Sequence, residues 1–213
     1  FSTDTAEQVA ALDPTKIIAV NSGFDSDKQA LLQQIAPATF HSDQYEDWQV
    51  PWDEQIKEIA AALGQEAEGD KLIAESEQAF ADFRQAHPEL QGKTAVIGMP
   101  YDGKLGVYTA GDGRGSFIEK LGFTIPDKFN GDGSSFFIDW SPENYSDLNE
   151  VDYVFILDYY GAIDALKNDA AFANLDVNTR GGVHWLDTDT ANAMSMPNPL
   201  TIPYAITQID QEL

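Results

Sequence analysis

The chain has 213 residues, 43% of them hydrophobic, with 12 basic against 36 acidic side chains and a formal net charge of -24. That much negative charge repels nucleic-acid phosphates and anionic lipid headgroups, so neither is an expected partner. The absence of cysteine excludes disulfides, thiolate metal sites and thiol nucleophiles, and no apolar run is long enough for a membrane span.

The chain opens at Phe1 into a polar stretch with no visible signal peptide. Asp4 and Glu7 form a D-x-x-E helix start, followed by Val9, Ala10 and Leu12. "TKIIAV" reads as a buried strand and "DKQALLQQIA" as a helix. Pro37 and "PATF" break the pattern, and "HSDQYEDWQVP" is loop. Trp52, Ile56, Ile59, Ala60 and Leu63 keep a helical period that Gly64 stops. "EAEGDKLIAESEQAFADFRQAHPEL" is one long helix of roughly twenty residues, ended near Pro88, and it separates two halves.

After Gly92, "KTAVIGMP" and "KLGVYT" read as strands, and "GSFIEKLGF" as a helix with Gly122 at its end. "FFID" is a short strand, and "SPENYSDL" a short helix with Pro142 at its first position. "DYVFILD" is a buried strand, "AIDALKN" a helix and "GGVHWLD" a strand. "PLTIPYAITQI" closes the chain as a helix whose regularity Pro203 limits. Strands alternating with helices predict an α/β class with largely parallel sheets, divided as a partial lobe (1–65), a connecting helix (66–90) and a second lobe (91–213).

"GDGRGS" at 111–116 precedes a helix, where backbone N–H groups can hold an anion, but it fits neither a P-loop nor a dinucleotide fingerprint. Arg114 stands at a helix start, against the helix dipole, which points either to ligand use or to a surface ion pair. "NGDGSS" and "DTDTAN" lack calcium-loop spacing, and His41, His87 and His184 share no ligand spacing. No nucleophile–base pair stands out, so no catalytic residue is expected. Tyr101, Tyr159 and Tyr160 follow predicted strands, where ligands sit in α/β sheets, and Trp48, Trp52 and Trp140 lie in or beside predicted loops.

One phrase occurs twice. With Glu7 placed over Glu143, Thr5 falls on Ser141, Leu12 on Leu148 and Ile18 on Val154. A first-turn glutamate is ordinary dipole chemistry, but the shared offsets indicate two similarly built lobes.

At these stretches the chain resembles the substrate-binding proteins of ABC importers for ferric siderophores, haem and vitamin B12. "TAEQVAALDPTKIIAV", "LLQQIAP", "WDEQIKEIAAALG", "GRGSFIEKLGF", "SPENYSDLNEVDYVFIL" and "PLTIPYAITQI" carry the resemblance, in order, over nearly the whole chain. It implies two Rossmann-like α/β lobes joined by a long helix, with ligand in the cleft. It implies no intrinsic cofactor, ferric iron being carried as a siderophore complex. It implies a protein outside the cytoplasm, periplasmic or extracellular and lipid-anchored in some forms, that reaches the membrane only through that anchor or the permease.

By the same resemblance Glu7 and Glu143 dock on the permease dimer, Arg114 contacts the iron-chelating oxygens, and Trp48, Trp52, Tyr101, Trp140, Tyr159 and Tyr160 line the ligand. Tyr159 stands where some relatives that bind catecholate chelates have arginine, which favours a hydroxamate or mixed ligand. Thr15 replaces the usual acidic residue after proline, with Lys16 following it, and "TANAMSM" lacks a tyrosine that some relatives carry. The family's first strands and helices are expected before Phe1, and the N-terminal lobe is therefore expected to be incomplete. A haem or corrinoid ligand with Tyr159 or His184 as axial group is the alternative, and a metal-chelate enzyme a more distant one.

Overall fold

The computed structural model describes residues 6–159 and 161–213. The chain divides into two compact units, Phe1–Ile73 and Ala74–Leu213. The division falls within the long helix.

The first unit contains α1 (Ala6–Ala11), β1 (Ile17–Ala19), α2 (Ser26–Gln33), β2 (Ala38–Phe40) and α3 (Trp52–Leu63). Helix α4 (Glu66–Ala86) begins in this unit and ends in the next. Asp25 caps α2 by accepting from the Lys28 N–H at 2.8 Å. Gly64 ends α3 in the left-handed region (φ 66°), and the Lys16 ammonium donates to the Ala62 carbonyl in the last turn of the same helix. Lys16, out of place beside the family pattern, therefore has a structural task.

Two expectations change here. "PATF" is not only a breaker, because Ala38–Phe40 pairs in parallel with Ile17–Ala19. The strand expected to be buried at "TKIIAV" is half-buried over Ile17–Ala19, and among the described residues its ladder partner is β2 alone. The expected capping box at Asp4 lies outside the described residues.

The second unit is built on a five-stranded sheet in the order β5-β4-β3-β6-β7. Its strands are β3 (Ala95–Tyr101), β4 (Lys104–Tyr108), β5 (Phe137–Trp140), β6 (Tyr153–Leu157) and β7 (Val183–Leu186). The β3–β6 and β6–β7 pairs are parallel, whereas β3–β4 and β4–β5 are antiparallel. The largely parallel sheet expected from the alternation is therefore mixed in this unit. The cause is local: Asp102 (φ 46°) and Gly103 (φ 75°) close a two-residue hairpin, and a turn with both central residues at positive φ matches the strand twist.

Strands Ala95–Ile97 and Val154–Leu157 are fully enclosed. Helix α5 (Gly113–Lys120) packs Phe117 edge-on to Phe80 of α4 at 5.1 Å between ring centroids. Phe172 stands edge-on to both Tyr145 and Trp185. The short helices α6 (Ile163–Lys167), α7 (Ala170–Ala173) and α8 (Asp176–Thr179) follow β6, and α9 (Thr188–Ser195) and α10 (Thr201–Glu212) follow β7. The segment expected as a short helix at Pro142 is a 3-10 helix, Pro142–Glu150. Pro203 does not disturb α10, because it is the third helical residue and its missing N–H falls among donors that have no intrahelical acceptor. No described helix is long and apolar enough to cross a membrane.

Gly115 marks a close approach of backbones: a Cβ there would lie 1.9 Å from the Thr109 carbonyl oxygen. Since main chain meets main chain, no rotamer change relieves the clash. Gly115→Ala is expected to destabilise the protein by at least about 1–3 kcal/mol, read as a lower midpoint in denaturant unfolding, while Gly64→Ala, whose Cβ meets nothing within 4 Å, pays only the left-handed backbone cost of about 1 kcal/mol.

Candidate ligand-binding site

The segment "GDGRGS" folds as a helix start. Asp112 is the N-cap of α5 and accepts from the Arg114 N–H at 2.8 Å. The glycines on either side of Arg114 are there for packing. A Cβ on Gly113 would stand 2.9 Å from the Ser195 carbonyl oxygen, and one on Gly115 would overlap Thr109. Neighbouring main chain thus closes on the loop, which accounts for Gly113 and Gly115 without a bound phosphate.

Arg114 is not a surface residue: its side chain is 14% exposed and that of Asp112 is 7% exposed. Arg114 Nη1 donates to both Asp112 carboxylate oxygens at 3.1 Å, Nη2 donates to Ser195 Oγ at 2.8 Å, and Nε donates to Tyr159 Oη at 3.1 Å. The guanidinium also lies over the Tyr108 ring, 4.1 Å from its centroid. Tyr159 passes the network on by donating to the Ala191 carbonyl at 3.1 Å, and Tyr108 donates to Met99 Sδ at 3.1 Å. A guanidinium carries five N–H groups, and these four contacts leave at least one, on Nη2, without a bond to a described residue.

Burial pushes the Asp112 carboxyl up, opposed by the Arg114 charge and by the N–H groups that cap onto it. Burial also works against the Arg114 charge, but Asp112 and the two tyrosines more than offset this, so the guanidinium holds its proton more tightly than usual. Burial raises the Tyr108 phenol to about 12, which keeps it neutral and its ring a good platform for the cation. The result is a fixed, always-charged donor beside aromatic surface, suited to an oxygen-rich ligand.

Of this cluster, Arg114 and Tyr159 are among the residues expected at the ligand from the sequence, whereas Asp112, Tyr108 and Ser195 are not. Asp112 was legible as an N-cap two residues before the arginine. Ser195 was not, since it arrives from α9, 81 residues away.

The other expected ligand residues are dispersed. Tyr101 ends β3, and its hydroxyl and the Lys104 ammonium both donate to Asp139. It borders a cavity of about 290 Å³ lined also by Pro100, Asp102, Tyr145, Leu166 and Asp169. Trp140 ends β5, rests on Phe129 and donates through its indole to the Asn144 carbonyl at 2.8 Å. In the first unit Trp48 is 50% exposed, whereas Trp52 is 4% exposed at the start of α3. Tyr160 lies outside the described residues.

A model described as periplasmic binding protein matches residues 2–181. The chain belongs to that family. The Fe(3+)-citrate-binding protein YfmC of Bacillus subtilis is 26% identical over 189 residues, covering 86% of this chain and 57% of that protein. This chain therefore spans little more than half the length of that curated relative. Among solved structures, Streptococcus pneumoniae TIGR4 PiaA in complex with ferrichrome is 28% identical with a TM-score of 0.81, covering 98% of this chain and 72% of that one. A periplasmic solute binding protein of Mycobacterium smegmatis is 27% identical with a TM-score of 0.84, covering 98% and 71%. The α/β fold expected from the sequence is the fold of these proteins, and the family consists of substrate-binding proteins rather than enzymes.

For this periplasmic binding protein, the glutamate phrase has a structural counterpart. Glu7 lies in the first turn of α1 and Glu143 in the first turn of the Pro142–Glu150 segment, both exposed. The strands that follow, β1 from Ile17 and β6 from Tyr153, start at matching offsets. The leucines differ: Leu12 is 80% exposed and Leu148 fully buried. Of the two axial groups of the haem alternative, Tyr159 Oη is engaged by Arg114 and Ala191, and His184 is buried with Nδ1 2.7 Å from the Glu212 carbonyl and Nε2 without a hydrogen-bond partner among the described residues. Among the described residues no three His, Asp or Glu side chains gather as metal ligands.

Removing one partner of the buried pair should be costly. Asp112→Asn is expected to destabilise by about 3 kcal/mol, the low end for a buried ion pair, because Arg114 keeps some solvent contact. Tyr159→Phe, which loses only the bridging hydroxyl, should cost about 1 kcal/mol. Urea unfolding of both variants checks the ordering.

Proposed function

We propose that this protein captures a ferric siderophore outside the cytoplasm and delivers it to an ABC permease. Arg114 carries the reading. Its guanidinium is oriented in advance by Asp112, Ser195 and Tyr159, and an N–H of Nη2 remains for a ligand oxygen. Pre-orientation lowers the entropic cost of binding, and the half-buried Tyr159 ring lies close by to pack against the organic shell. Trp48, Tyr101 and Trp140 are proposed as further ligand contacts. Trp52, being enclosed, is assigned to support of its helix start.

Charge favours a hydroxamate or mixed ligand. Asp112 neutralises Arg114 at short range, so the site offers a directional donor with little net positive charge. The chain as a whole is strongly acidic. A neutral ferric trihydroxamate fits this balance better than a highly anionic tricatecholate. The ferrichrome complex of PiaA supports that choice, whereas the citrate specificity named for YfmC favours ferric citrate as a second reading. Glu7 and Glu143 are proposed as exposed carboxylates, one in each unit, for cations on the permease. A lipid anchor or the permease itself would hold the protein at the membrane.

Titration of tryptophan fluorescence with ferrichrome, a ferric tricatecholate and ferric citrate tests the ligand class. Saturable quenching by ferrichrome is expected, and no response to any of the three overturns the proposal. Arg114→Gln should weaken the response about 10- to 100-fold, the worth of one charged hydrogen bond. Glu7→Lys and Glu143→Lys should leave the titration unchanged and reduce uptake of radioactive iron by cells; loss of binding instead would place those carboxylates at the ligand.

A further inference from the structure

His41 follows β2 and is surrounded by groups that can only accept hydrogen bonds. Its Nδ1 is 3.1 Å from the Ser42 carbonyl oxygen, and its Nε2 is 3.1 Å from the Ser22 carbonyl oxygen and 3.3 Å from Asp47 Oδ1. A neutral imidazole has one N–H, so one ring nitrogen would direct its lone pair at an oxygen. The imidazolium, with two N–H groups, satisfies both sides.

These contacts link two segments. Residues 21–23 leave the end of β1, and residues 41–50 form the loop that carries Trp48. Trp48 takes the left-handed conformation (φ 65°), unfavourable for an aromatic residue, and so needs outside support. The support is the 21–23 segment. A Cβ on Gly23 would lie 2.7 Å from Trp48 Nε1 and 3.2 Å from Asp47 Oδ2, so both side chains rest on that glycine. The Val50 N–H reaches Asn21 Oδ1 at 3.4 Å, a long and weak contact. His41 is the stronger tie, and its side chain is only 10% exposed.

We propose that protonated His41 is a positioning residue that pins the 41–50 loop to the end of β1 and so fixes Trp48, making the orientation of Trp48 dependent on pH. Burial opposes the His41 charge, but the bonds to Ser42, Asp47 and Ser22 and the Asp47 charge outweigh it and raise its pKa above 6.5. The charged groups facing it are Asp47 from the loop and Glu58 from α3. Burial raises the Glu58 carboxyl, and His41 draws it back down. The sign follows: the pinned loop is fully present below 6.5 and loosens as pH rises through the raised value. At the acid end, protonation of Glu58 removes part of the attraction.

NMR of the whole chain tests this without a ligand. The His41 ring and the Trp48 indole N–H should titrate together, with a shared midpoint above 6.5. In His41→Gln, which folds around one remaining amide donor, the Trp48 signal should resemble the high-pH wild type and stay flat between about pH 6 and 9. In Asp47→Asn the shared midpoint should fall. A Trp48 signal unresponsive to His41 titration, or a His41 midpoint at or below 6.5, overturns the proposal. One further arm rests on the ligand reading above: ferrichrome affinity should drop about threefold to tenfold as wild type passes through the midpoint, and not in His41→Gln. If ferrichrome fails to bind while the indole still titrates with His41, the ligand reading fails and the positioning role stands.

Discussion

The buried pair of Asp112 and Arg114 is the constraint on which the second unit depends. A guanidinium at a helix N-terminus meets an unfavourable dipole, and burial adds a desolvation cost. Asp112 answers both, because one carboxylate caps the helix and neutralises the charge. That double duty fixes the geometry around it. The start of α5 must come within backbone contact of Thr109 and Ser195, which explains glycine at 113 and 115. The remaining donors then recruit Ser195 of α9 and Tyr159 beyond β6, while Tyr108 of β4 lies under the guanidinium plane. Four separate elements are thereby registered to one side chain. A cation held this firmly loses little entropy when it meets an oxygen ligand.

The first unit achieves order by different means. Its sheet is a single pair of three-residue strands among the described residues, and its enclosed apolar side chains are few: Val20, Leu32, Ala36, Val50, Trp52 and Ala60. Hydrogen bonds from side chain to main chain therefore carry more of the burden. Lys16 reaches the end of α3, Gln55 the Val50 carbonyl, and His41 the Ser22 carbonyl. Such contacts are sensitive to protonation in a way that an apolar core is not, which is why the one histidine among them matters.

Legibility in the sequence followed the range of the interaction. Helices α3 and α4 were readable because their apolar period and their stops, Gly64 and the region of Pro88, are local. Strands β3, β6 and β7 were readable as apolar runs bounded by turn residues. The antiparallel turn at Asp102-Gly103 is also local, and the dipeptide is a hairpin signal, but the alternation of strands with helices around it carries the opposite, parallel pattern. Strand β2 and the four-residue helices α7 and α8 were too short to establish any period. Helix α9 had a readable cap, Asp187 accepting from the Thr190 N–H at 2.8 Å.

By itself the sequence determined the α/β class, the long helix, the paired glutamate phrase and an arginine set against its helix, because each is written within a few consecutive residues. Only the tertiary structure decided what that arginine does. Its partners come from positions 108, 112, 159 and 195, and nothing in the chain's local pattern brings those together. The same holds for His41, an isolated histidine in the sequence that becomes a bridge once β1 and β2 pair in parallel and bring Ser22 within reach. Burial is what turns both residues from solvated charges into fixed donors, and burial is a property of the folded whole.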